Sequence, residues 1–226
     1  MRGRGVRAAG RRRPLAWQIT SADKLFLAGR YGKAERRLDG VVTELEAAHA
    51  DDPEDAEVVV LLATTSYLLG VARHRLGRNG EAATALRLSI GLLTPLHAAP
   101  GSGWGRQLAS AVQSAASVER DLEHWPEALD LSRRALELWT ELPGDRWASY
   151  LAYALRSFAH VRAKAGVELD EALLRVDESI GAYAALAAAQ PDKPFGHQVE
   201  VSQLVRTMVL DAMARHPGPG PEAPDS

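Results

Sequence analysis

The chain has no cysteine among its 226 residues, and only 6% of them are aromatic. No disulfide framework, thiolate nucleophile or cysteine metal site is therefore available. Lysine is almost missing: arginine supplies 23 of the 27 basic residues, a bias typical of a GC-rich genome of the actinobacterial, bacterial kind. No run of apolar side chains approaches 18 residues, so none is expected to span a membrane. The first residues are basic, but Val6-Arg7-Ala8-Ala9-Gly10 makes no hydrophobic segment of a secretory signal. The cytoplasm is the expected compartment. Strand-like alternation of any useful length is also lacking.

Catalytic signatures are missing as well. The seven histidines are scattered, with no His-Glu-x-x-His pair to hold a metal, and no Gly-x-Ser-x-Gly, Gly-x-Gly-x-x-Gly or P-loop occurs. The glycine-rich stretch 98–105 lacks the Lys-Ser/Thr ending that a phosphate cradle needs, and reads as a plain loop. Glu119, Asp121, Glu123 and His124 are close enough in sequence to suggest a carboxylate–imidazole site. They span a helix end and its turn, where charged residues are commonplace. No catalytic residue, cofactor or metal is expected, and an enzyme with an atypical site ranks behind binding functions.

Charge is unevenly spread. Residues 1–13 hold six arginines and no acid, which leaves 14–226 at −8 against −2 for the whole chain. That arm has no apolar periodicity and is expected to be disordered. It is the one segment with the chemistry to touch nucleic acid, and no DNA-binding module accompanies it.

What fills the rest is helix after helix. Residues 124–139, HWPEALDLSRRALELW, show the pattern best: apolar and small side chains run along two flanks, charges take the remaining face, and Pro126 sits where a first turn needs no amide donor. A helix apolar so far round needs neighbours on two sides. Nine helices are expected, with starts near Pro14, Tyr31, Pro53, Glu81, 105, 124, 146, 169 and Phe195. Asp52 is the expected cap of the third and Asp145 of the seventh. The domain should run over 14–215, with a Pro/Gly tail at 216–226.

Four turns repeat in phase: Gly29-Arg30-Tyr31-Gly32-Lys33-Ala34, Gly77-Arg78-Asn79-Gly80-Glu81-Ala82, Glu123-His124-Trp125-Pro126-Glu127-Ala128 and Val167-Glu168-Leu169-Asp170-Glu171-Ala172. Their alanines lie 48, 46 and 44 residues apart. Seven residues on stand Val41, Ser89, Ala135 and Ser179. Twelve before the first three stand Ala22, Gly70 and Ala116, and Ala159 corresponds if one residue is inserted near Gly166.

This combination resembles the tetratricopeptide repeat (TPR) family. Leu69-Gly70 with Leu76-Gly77 and Ala82, and Trp125-Pro126-Glu127-Ala128 with Ala135, carry the resemblance. The spacing exceeds the family's usual length of about 34 residues, as in its extended variants, and Asn79 and Leu169 replace aromatic turn residues. The resemblance implies an all-α, right-handed α-solenoid of about four helical hairpins with the ninth helix as a cap. It further implies a non-enzymatic adaptor that holds a protein or peptide on a concave face lined by the first helix of each hairpin. The small positions then direct Thr64, Tyr67, His74 and Arg75 to that face. Gln113, Ser117 and Arg120 follow in the third hairpin, and Tyr153, Arg156, His160 and Lys164 in the fourth. A basic stripe in an acidic protein points to an acidic partner, because a guanidinium grips a carboxylate with two parallel hydrogen bonds. Gln113 stands where the family's peptide-end clamps use asparagine. Trp104, Trp125, Trp139 and Trp147 are expected in the core. The alternative is a sensory protein that binds a peptide or ligand and acts with a transcription or signalling partner. Oligomeric state stays open.

Overall fold

The structure, a computed structural model, describes the backbone of residues 4–99 and 101–215 and the side chains from Leu15 onward. It is all-α. The helices are α1 (Arg4–Leu27), α2 (Tyr31–Asp51), α3 (Ala56–Arg75), α4 (Asn79–Ala98), α5 (Gly105–Asp121), α6 (Trp125–Glu141), α7 (Ala148–Ala165), α8 (Leu169–Ala189) and α9 (Phe195–Arg215), with a 3-10 turn at Asp145–Trp147. Among the described residues there is no strand. The 216–226 tail lies outside them.

Three expectations need correction. Helix α1 begins at Arg4, upstream of Pro14, so most of the basic arm is helical in backbone; arginine and alanine both favour that state. The third helix is capped by Asp55, whose carboxylate accepts from the Glu57 and Val58 amides at 3.1 and 3.3 Å, while Asp52 ends the preceding helix instead. Asp145 caps no long helix: it opens the 3-10 turn, and α7 starts after Trp147 with no side-chain cap.

The chain divides after Leu122 into two compact units, where one continuous repeat domain was expected. In the first, α1 to α5, each helix packs on the next, and α1 touches α3 as α3 touches α5. Short connections make such neighbours antiparallel. Its core gathers Leu15, Ile19, Leu38, Val41, Leu45, Val58, Leu62 and Leu69, each side chain contributing roughly 1.5–3 kcal/mol by leaving water. Helix α3 alone is long and apolar enough to cross a membrane, contrary to expectation. Here its Val58, Leu62 and Leu69 are spent on that core. In the second unit α6 packs on α7, α7 on α8, and α9 lies against both α7 and α8. Ala159, Ala163, Ala172, Val176, Val205 and Val209 form its centre.

The repeat register is visible in packing. Ala34, Ala82, Ala128 and Ala172 are fully buried, as are Ala22, Ala116 and Ala159. At Gly70 a Cβ would meet Leu86 Cγ at 2.7 Å and the Ala82 carbonyl at 3.2 Å, so α3 and α4 approach closer than any side chain allows. Ser89 Oγ donates to the Ala63 carbonyl at 2.9 Å, and Ser179 Oγ donates to the Ala152 carbonyl at 2.8 Å. These serines and carbonyls occupy equivalent places in their hairpins. Gly29 and Gly77 hold φ of +70° and +76°, and Glu123 takes the same place at +59°. The fourth turn uses Gly166 at +72° and then Glu168 at +49°, which accommodates the inserted residue.

Candidate partner-binding faces

The first helices of the hairpins carry the side chains singled out by the sequence, and each unit can be taken separately. In the first unit Thr64 and Arg75 are exposed on α3, with Tyr67 and His74 half-buried. Arg75 forms no ion pair among the described residues. Gln113 and Ser117 are buried, at 5% and 6% exposure, so they offer no groove contact as expected of them. The reason is local: alanine, serine and valine bring the neighbours of α5 so close that 11 of its 17 residues are covered.

His74 and Arg120 come together on a carboxylate that the sequence did not single out for binding. Asp121 Oδ1 accepts from Arg120 Nε at 2.9 Å and from Nη2 at 2.7 Å, while Oδ2 lies 2.8 Å from His74 Nε2. Partial burial works to raise the Asp121 pKa, but the His74 and Arg120 hydrogen bonds and the arginine charge hold it below the usual carboxylate value. The imidazole partner of this acidic segment is therefore His74, from α3, and not the neighbouring His124. Glu119 is buried and faces Arg87 at 3.4 Å. Only contacts between helices distant in sequence could have disclosed either pairing.

In the second unit Tyr153 is exposed, His160 half-buried and Lys164 exposed on α7. Arg156 departs from expectation. It is 8% exposed, and its Nη1 donates to the Gln198 carbonyl and side-chain Oε1 at 3.3 and 3.0 Å. Its guanidinium lies 5.1 Å from the Tyr153 ring centre and 5.5 Å from that of Tyr183. It thus holds α9 to α7. Burial pushes the Tyr183 hydroxyl up to about 12. Lys164 borders a shallow depression with Ala163, Met208, Asp211 and Arg215.

Arg162, one turn of sequence from any expected site, is fully buried. It donates to Glu168 Oε2 at 2.7 Å and to Ser132 Oγ at 3.0 Å, and its guanidinium caps the Phe158 ring. Arg133 grips Glu168 from α6 at 2.8 Å. Burial lowers the Arg162 pKa. Desolvation works to raise the Glu168 pKa, but hydrogen bonds and charge from Arg162 and Arg133 keep it below the ordinary glutamate value. Trp139 is core as expected, stacked on Tyr150 at 4.9 Å and beside Trp147 at 6.2 Å. Trp104 and Trp125 are half-buried.

Among the described residues no three His, Asp or Glu side chains are gathered in a way that suits a metal ion. No family model matches the chain, and no curated protein matches it by sequence. Solved structures do. The nearly identical TPR-like repeats of a Podosopora anserina kinesin light chain-like protein align over 91% of this chain and 98% of that one, at 15% identity and a TM-score of 0.57. The fold is a TPR-like helical repeat. The yeast histone chaperone Hif1, described as a scaffold recruiting protein complexes to core histones, aligns over 90% and 95% at 14% identity with a TM-score of 0.59. BtubC from P. vanneervenii aligns over 93% and 84% at 15% identity with a TM-score of 0.55. At these identities the TPR-like likeness concerns backbone alone.

Proposed function

We propose that this chain is a non-enzymatic TPR-like adaptor, whose partner is a protein or peptide carrying carboxylates. The observation that carries the reading is the state of the cations on the first helices. Arg156 is used internally and Arg120 is closed on Asp121, whereas Arg75 on α3 and Lys164 on α7 are exposed without an ion pair among the described residues. A free cation on an acidic chain is retained at no structural gain to the fold, and it suits a carboxylate arriving from outside. Scaffolds such as Hif1 share the fold and recruit proteins, which agrees with the assignment.

Charge reversal of these two residues tests it. The Arg75→Glu/Lys164→Glu double variant should keep its helicity and melting temperature. Affinity for a partner captured by the wild-type chain should fall on the order of tenfold at 50 mM salt, and by less as salt rises. Unchanged affinity across that range refutes the assignment. The same substitutions at Arg120 or Arg156 would be uninformative, since they also disturb internal contacts.

A further inference from the structure

We infer that Arg120 and His74 form a carboxylate seat on the first unit, that Asp121 occupies it in the partner-free chain, and that an acidic side chain of the partner takes its place. This rests on the adaptor reading above and specifies one of its contacts. Three observations make Asp121 a poor occupant of its own seat. It is the last residue of α5, where the negative end of the helix dipole opposes a carboxylate. Adjacent residues on a helix do not face one another, so Arg120 must fold back to reach it. Having done so, both Arg120 donors fall on the single oxygen Oδ1, at 2.9 and 2.7 Å. A guanidinium fork holds a carboxylate best with two parallel bonds to two oxygens, a geometry open to an incoming carboxylate and closed to a neighbour in sequence.

The seat is also reachable. The side chains of Arg120, His74 and Asp121 keep 19%, 23% and 34% of their surface in solvent. That is covered enough for an ion pair to matter and open enough for exchange. Arg75 stands next to His74 in the final turn of α3 and adds positive charge to the approach. The internal carboxylate lowers apparent affinity by holding the competent state to a minor fraction, and its removal returns that fraction.

The probe is a fluorescein-labelled hexa-aspartate peptide, titrated into the full chain and followed by anisotropy. Asp121→Asn keeps the shape and removes the charge. It should bind about fivefold to tenfold more tightly than wild type, with the His74 ring resonances shifting on addition of peptide. Arg120→Gln in the Asp121→Asn background should erase the gain, while circular dichroism reports that the helices are intact. Equal or weaker binding by Asp121→Asn, or no binding by either chain, overturns the seat. Arg75→Glu/Lys164→Glu is measured in parallel with the same peptide. If that pair leaves binding unchanged while Asp121→Asn still gains, the adaptor surface fails and the seat stands.

Discussion

Several single positions decide more than their neighbours. Gly70 has no room for a Cβ, because Leu86 and the Ala82 backbone crowd the place where it would go. Gly70→Ala should cost about 1–3 kcal/mol, read as a lower midpoint in urea or heat. Glu123 is the reverse case. It holds φ +59° where two other turns use glycine. A left-handed L-residue is strained by roughly 1–2 kcal/mol, and glycine restores roughly half of that in lost chain entropy. Glu123→Gly should therefore raise stability by about 0.5–1 kcal/mol, and a lower melting temperature would contradict this. Glu168 titrates in a known direction. Its pKa is depressed in the folded chain, so its contribution is fully present above the unfolded glutamate value, about 4.3, and is lost as pH falls through the lower folded value. Acid unfolding of Glu168→Gln should show a shallower pH dependence below that point than wild type.

At the scale of elements, a charge pattern ties helix to helix in the same register as the small residues. Five residues after Ala34, Ala82, Ala128 and Ala172 stand Asp39, Arg87, Arg133 and Asp177. Each meets an opposite charge further along the chain: Arg73 at 2.6 Å, Glu119 at 3.4 Å, Glu168 at 2.8 Å and Arg206 at 2.8 Å. Arg73 and Glu119 themselves lie three residues after Gly70 and Ala116. The position three after Ala159 is Arg162, a second cation, and there Glu168 stands between the two arginines. The sign at each junction differs, so a slipped pairing would set like charges together. For the exposed pair Asp177–Arg206 a double-mutant cycle should give a coupling of about 0.2–1 kcal/mol, with the swapped Asp177→Arg/Arg206→Asp chain recovering much of the loss. A coupling of zero would mean that this junction depends on Val205 and Val209 alone.

For the whole molecule, the charge ledger and the cation geometry point the same way. An acidic body with arginines spread along its helices uses most of them on itself, at Arg73, Arg120, Arg133, Arg156 and Arg162. What is left over is small and specific, which is why partner affinity should respond to Arg75 and Lys164 and to salt. Helix number and sequence, the turns and the buried alanines were legible in the chain because each rests on local physics: period, glycine conformation and the volume of one side chain. The identity of the functional cations was not. Whether an arginine is free or spoken for depends on what lies across from it, and those partners are distant in sequence: Gln198 for Arg156, and Asp121 for His74. The same holds for the division after Leu122, since four turns in phase look alike whether or not packing is continuous. Periodicity and steric volume determined the TPR-like fold from within the sequence. Only the folded chain, by bringing remote charges within hydrogen-bond reach, decided which side chains are left to meet a partner.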